Sequence, residues 1–135
     1  MKKHYQRLAV LIVFGIVGWV PSVFAQTDFY KGKTITVYIG TTPGALYDQW
    51  GRLLAQHMGK HIPGKPDMIV QNMPGAGHMI AANYVYNRTK PDGLSLIGTI
   101  VPTLYFDQLV GRKEAQYDWA KFVWIGSPVQ GESQM

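Results

Sequence analysis

The sequence has no cysteine, which excludes disulfides, thiol nucleophiles and cysteine metal ligands. It has no Gly-Lys-Ser/Thr ending to its first glycine turn, so nucleoside triphosphate binding of the P-loop kind is excluded there. The dinucleotide fingerprint also fails at that turn, and no acidic residue follows at the required distance. No Ser-His-Asp or Cys-His set is spaced for catalysis, and no pair of carboxylates faces one cleft. His57 and His61 stand at i, i+4, but there is no intervening glutamate of the zinc-protease kind and no obvious third ligand. They read as a surface pair near a helix end. No metal and no cofactor is expected. Internal repeats and low-complexity segments are absent too.

Charge is modest. The 135 residues carry 13 Lys and Arg against eight acids, a formal +5. Three of those bases, Lys2, Lys3 and Arg7, open the chain ahead of an apolar run, Leu8–Val20, that falls short of the about 20 residues needed to cross a bilayer. Pro21 breaks the run, and Val23-Phe24-Ala25 offers a cleavage site. Residues 1–25 are therefore expected to be a secretory signal peptide, cut after Ala25, with an uncleaved anchor as the alternative. Beyond it, ten bases face eight acids, and Lys31, Lys60, Lys90 and Lys113 are scattered rather than striped. This is no nucleic-acid footprint. An exported chain without disulfides has to be stabilised by its core alone.

The remainder reads as alternating strands and helices. Thr34–Ile39 is β-branched and aromatic, the pattern of a buried strand. A loop, Gly40–Ala45, leads to a helix from about Tyr47 to Lys60. Trp50, Leu53, Leu54 and Met58 lie on one face of it, with Arg52, Gln56 and Lys60 mostly opposite. A second strand is expected over about Asp67–Gln71, a helix from Met79 to near Asn87, and a third strand over Leu94–Ile100. Pro102 and Thr103 open a short helix to about Leu109. Asp118–Lys121 reads as one helical turn, and Phe122–Ile125 as a fourth strand. Strand–helix–strand order with short connections implies α/β architecture, with βαβ units and a parallel sheet. The loops Gly40–Leu46, Asn72–His78 and Val101–Thr103 then emerge at one carboxyl edge, where open α/β sheets bind ligands.

The most informative stretch is Val70–His78, an apolar strand running into Asn72-Met73-Pro74-Gly75-Ala76-Gly77-His78 ahead of a helix. Helix N-termini hold unpaired N–H groups and the positive end of the dipole, so such a turn can hold an anion without a cationic side chain. A tight turn that binds nothing is the competing reading. The first loop adds the hydroxyls of Thr41 and Thr42 and the glycine Gly44, all suited to a carboxylate. Asp48, in the first helical turn, suits either capping or a bond to a ligand's amide, amine, hydroxyl or water. It would repel a carboxylate and is not expected to meet one directly. Tyr47 stands beside the loop, where it could stack on a ligand. Tyr84, Tyr86 and Tyr105 suit core packing.

The string Asn72–Gly77 ("NMPGAG"), followed by "IAANYVYN", "KPDG" and an apolar strand, resembles the tripartite tricarboxylate transporter receptor family, the Bug-type extracytoplasmic solute-binding proteins. The stretch from Phe29 to Pro128 runs collinear with the start of such proteins, including "YKGKTITVYIG", "YDQWGRLLAQHMGKHIPG" and "WIGSP". The resemblance implies a two-lobed flytrap fold, of which residues 26–135 form an incomplete first lobe. It also implies a periplasmic location and capture of a small di- or tricarboxylate for membrane permease subunits, without catalysis. Carried over by position, the ligand contacts come from Thr41, Thr42, Pro43, Gly44, Ala45, Tyr47 and Asp48, and from Gly75, Ala76, Gly77 and His78. Gly44-Ala45-Leu46 departs from the family's run of glycines, and its two added side chains narrow the pocket. The family's chains are more than twice as long, so this sequence reads as a truncated or partial receptor. An unpaired sheet edge, an uncovered apolar face and weak or absent carboxylate binding are then expected. Two alternatives stand beside it: a small α/β transferase or hydrolase using the same loops, and a non-functional gene fragment.

Overall fold

A computed structural model describes residues 29–98 and 101–127. The expected signal peptide, the end of the third expected strand and the polar tail lie outside them.

Strand β1 (Thr34–Ile39) is central. It pairs in parallel with β2 (Asp67–Asn72) on one side and β3 (Ser95–Ile97) on the other, giving the order β2-β1-β3. Thr34 stands opposite Asp67, Ile39 opposite Asn72, and Tyr38 opposite Ile97. Parallel strands need crossovers, and helices supply them: α1 (Leu46–Met58) between β1 and β2, α2 (Met79–Arg88) between β2 and β3. The chain is therefore α/β with a parallel sheet, as its alternation of elements implied. Helix α3 (Pro102–Leu109) follows β3, with Pro102 opening it where a missing N–H costs nothing.

The strands differ as their positions demand. Ile35, Val37, Tyr38 and Ile39 of β1 are buried, the near-continuous apolar run of a strand covered on both faces. Edge strand β2 instead alternates, with Ile69 exposed. Helix α1 meets the sheet through its smallest residue. Gly51 is buried, and a Cβ there would lie 2.4 Å from Ile39 Cδ1, so any larger residue has to displace that side chain for the helix to approach this closely. The helix consequently presents its apolar stripe outward: Trp50, Leu53 and Leu54 are 44%, 47% and 37% exposed. The main core cluster lies with α2 and α3, where Met79, Ala82, Val101, Leu104 and Tyr117 pack together. Tyr117 donates its hydroxyl to the Leu104 carbonyl at 2.8 Å, so its burial leaves no unpaired oxygen. Asn83 and Asn87 bind the backbone of residues 114–116, tying the chain after α3 back onto α2.

Three boundaries differ from expectation. Helix α1 stops at Met58 and tightens into a 3-10 turn, Gly59–His61. Strand β3 is shorter than Leu94–Ile100, although residues 99 and 100 lie outside the description. The fourth strand expected over Phe122–Ile125 does not form. Asp118 instead caps a 3-10 turn, Trp119–Lys121, and the residues after it have no ladder partner among the described residues, leaving Val123, Trp124 and Ile125 exposed. Its β-branched and aromatic content suits a strand, but a strand also requires a neighbour.

Burial sets the mutational hierarchy. Leu104→Ala is expected to cost about 2–5 kcal/mol by chemical denaturation. Leu53→Gln on the outward face of α1 is expected to change stability by less than about 0.5 kcal/mol.

Candidate functional site

Because β1 and β2 are parallel neighbours, the loop from β1 to α1 and the turn from β2 to α2 leave the sheet at the same edge. They are in contact there. The N–H of Met73 donates to the Ile39 carbonyl at 2.7 Å, continuing the ladder past the end of the strands. Asn72 donates its side-chain amide to the Thr41 carbonyl at 2.9 Å and to Asp48 Oδ1 at 2.8 Å. The turn then lies directly over Gly40. A Cβ on that glycine would come within 2.7 Å of the His78 Cα and 2.5 Å of its Nδ1.

Asp48 is the hub of this contact. Its side chain is almost wholly buried, yet it is charged, a state that needs full compensation. Oδ2 accepts the backbone N–H of Gly44 at 2.7 Å and Arg52 Nε at 2.9 Å, while Oδ1 accepts Asn72. Arg52 also donates through Nη2 to Asn72 Oδ1 at 3.1 Å, closing a ring of three side chains. The Arg52 bond, then the Gly44 N–H, then the Asn72 amide hold the Asp48 carboxyl down to about 2, against the opposing effect of burial. One carboxylate thus fixes the first loop, the start of α1 and the end of β2.

That arrangement leaves donors at both helix entrances. Ala45 precedes α1 with no side-chain cap, and its own N–H reaches the Thr42 carbonyl at 3.3 Å. The N–H groups of Leu46, Tyr47 and Asp48 meet no acceptor among the described residues. Thr42, Pro43 and Gly44 form the exposed rim. On the other side, Gly75 has φ 136°, and Ala76, Gly77 and His78 follow at 47°, 60° and 75°. Glycine adopts such angles without penalty. Ala76 and His78 do so under strain, each at a cost of about 1 kcal/mol or more. The N–H groups of Ala76 and Gly77 also meet no acceptor among the described residues.

His78 immediately precedes α2 and is 8% exposed. Its ring meets Tyr47 edge-on at 5.2 Å, so the residues flanking the two helix starts touch. Burial lowers the His78 pKa and favours the neutral ring. Its Nδ1 has no hydrogen-bond partner among the described residues, and neither does the buried Thr41 Oγ1. All eleven residues expected to contribute to a ligand site therefore lie in two adjoining segments at one sheet edge. Within them, Asp48 has both oxygens engaged by the chain itself. Three supporting residues escaped the sequence reading. Gly40 gave no signal short of a contact map. Asn72 was in view only as part of a turn. Arg52 was legible in principle, because it stands four residues after Asp48 on a helix.

Elsewhere, two open clefts are lined by Asn83, Tyr84, Asn87, Arg88 and Gln116, and by Tyr105, Gln108, Leu109, Trp119 and Ala120. Neither includes a residue of the two loops. Among the described residues, no three His, Asp or Glu side chains group to hold a metal ion, and no helix is long and apolar enough to cross a membrane.

No family model matches the chain, and no solved structure matches it significantly. Two curated relatives do. The chain is 38% identical over 78 residues to "UPF0065 protein in gbd 5'region" of Cupriavidus necator, covering 58% of this chain and 23% of that protein. It is 34% identical over 90 residues to "UPF0065 protein in the TAR-I ttuE-ttuC' intergenic region" of Agrobacterium vitis, covering 67% of this chain and 24% of that protein. The matches thus span about a quarter of the length of these relatives.

Two outcomes test the site's construction. Gly40→Ala drives a methyl group into the His78 backbone and is expected to destabilise the chain by about 1–3 kcal/mol in a denaturant titration. The two titrating groups separate on a pH–stability profile. His78 is held below its ordinary value, so the unfolded chain takes up its proton first. Stability is expected to fall as pH drops below about 6.5, and His78→Phe is expected to remove that component. The ionised Asp48 stabilises the fold above about pH 4, and that contribution is expected to be lost as pH falls toward 2.

Proposed function

We propose that the chain belongs to the tripartite tricarboxylate transporter receptor family and captures a small organic carboxylate outside the cytoplasm for a membrane permease. The observation that carries this reading is the pair of glycine-bearing loops at one sheet edge, locked together by Asp48, the first leaving N–H groups unpaired at the start of α1 and the second leaving those of Ala76 and Gly77 unpaired in the 3-10 turn ahead of α2. Unpaired N–H groups and the positive ends of two helices suit a carboxylate, and no lysine or arginine is needed to bind it. The similarity to two UPF0065 proteins supports the same family. So does the combined motif from "NMPGAG" to "KPDG". The basic, then apolar, start of the sequence supports export to the periplasm.

In this reading the carboxylate is met by the N–H groups of Leu46 and Tyr47 on one side and of Ala76 and Gly77 on the other. Thr41, Thr42, Pro43, Gly44, Ala45, Gly75 and His78 shape the surrounding wall. Asp48 acts through the loops it holds and not by touching the anion, which it would repel. Binding requires no bond to break and no cofactor, so the role is capture and delivery. The site opens to solvent past Leu46 and Tyr47, which are 66% and 40% exposed, and affinity is therefore low, with dissociation constants in the millimolar range.

The test is a titration of the labelled chain with acetate, succinate and tricarballylate, following backbone amide resonances. Saturable shifts at Leu46, Tyr47, Ala76 and Gly77 are expected, without turnover of the acid. Shifts confined to lysine- and arginine-bearing segments would overturn the proposal, and conversion of the acid would favour the enzyme.

A further inference from the structure

Two apolar features near the end of the described chain are exposed and adjacent. Val123 and Ile125 are 90% and 69% exposed, with Trp124 half exposed between them. Beside them lies the open cleft lined by Tyr105, Gln108, Leu109, Trp119 and Ala120. Ring contacts join the two features. Trp124 meets Trp119 at 4.7 Å between centroids, and Trp119 meets Tyr105 of α3 at 5.9 Å. Trp119 is thus both a wall of the cleft and the neighbour of the protruding segment. The cleft measures about 260 Å³, short of the about 300–1,000 Å³ of small-molecule pockets, and no charged group lines it. Its one amide side chain, Gln108, already accepts the Trp119 N–H at 2.7 Å. It is a place for an apolar side chain rather than for a polar solute.

We propose that two copies of the chain meet on this face, each seating its Val123–Ile125 segment against the α3 cleft of the other. A two-fold contact requires a face that complements itself, and this one carries a projection and a recess side by side. Charge permits the meeting. Residues 105–127 hold three acids and three bases, and five of the six are paired within the chain: Arg112 with Asp107 at 3.1 Å and with Glu114 at 3.6 Å, and Lys121 with Asp118 at 3.5 Å. Two such faces come together without net repulsion. The outward stripe of α1 has no such recess, since neither described cleft borders Trp50, Leu53 or Leu54. A lipid surface suits the face less well. The main-chain groups of Val123, Trp124 and Ile125 make no hydrogen bond among the described residues, and lipid would take their water and supply no partner. A second copy brings N–H and C=O groups of its own. Nothing has to open, because segment and cleft already face solvent. The face shares no residue with the two loops at the sheet edge, so the contact is independent of the carboxylate reading.

Sedimentation equilibrium of the full chain tests the proposal. A monomer–dimer equilibrium is expected, with a dissociation constant on the order of 10–100 μM for so small a face. Val123→Glu combined with Ile125→Glu, at positions too exposed to disturb folding, is expected to weaken dimerisation by about tenfold or more. Leu53→Gln on α1 is expected to leave it unchanged. The sequence has no cysteine, so an introduced one reports its own neighbours. A Val123→Cys chain mixed with a Leu109→Cys chain and a mild oxidant is expected to give a disulfide-linked heterodimer. A chain that stays monomeric at about 1 mM, or cross-links that leave out Leu109→Cys, overturn the proposal. A dimer that survives the double glutamate variant overturns it too, since association through the apolar run Leu8–Val20 would survive in the same way. Binding to phosphatidylcholine vesicles that the double variant abolishes, with no dimer in solution, overturns it in favour of a membrane surface.

Discussion

A single carboxylate, that of Asp48, organises the edge of the sheet. It is buried and ionised, so it needs hydrogen bonds, and it takes them from three directions: the backbone of the first loop, a helical arginine and the amide ending β2. Each donor belongs to a different piece of chain. Satisfying the charge therefore fixes the pieces relative to one another. Removing either side-chain partner would leave a buried carboxylate one donor short, which costs more than one ordinary hydrogen bond.

The same economy explains why donors remain free nearby. The N-terminus of a helix is usually closed by the side chain of the residue before it. Here that residue is Ala45 in front of α1, which has no capping group, and the acid that could have capped the helix reaches back to Gly44. In front of α2, three consecutive left-handed residues turn the chain, two of them with β-carbons, and His78 turns its ring onto Gly40. Both entrances keep their N–H groups unpaired, and the backbone is strained on one side. Strain and unpaired donors at the same spot are costs that folding alone does not require. A negatively charged ligand gives a reason for both.

Much of the fold was legible because it follows local rules. Alternation of a β-branched run with amphipathic segments identified β1, α1, β2 and α2 to within a few residues, and order and connection length gave the parallel pairing. Two features were not legible, both because they depend on what lies opposite. Phe122–Ile125 has the composition of a strand but no strand beside it among the described residues. The apolar stripe of α1 is real, yet Gly51 sets which face meets the sheet, since close approach favours the smallest residue over the most apolar one. At the site, the glycine turns and hydroxyls were visible as motifs. The division of labour between Asp48, which holds, and the free N–H groups, which remain available, depends on which atom bonds which, and spacing alone does not specify that.

Capture of one anion between the two loops requires that main-chain donors from both converge on it. A crystal structure of the chain grown with a bromine-labelled carboxylic acid, its bromine located by anomalous scattering, tests this most directly. The carboxylate oxygens are expected within about 3.0 Å of the N–H groups of Leu46 or Tyr47 and of Ala76 or Gly77, with the Asp48 ring of bonds intact. A carboxylate found on a lysine or arginine side chain, or at only one of the two entrances, would contradict it.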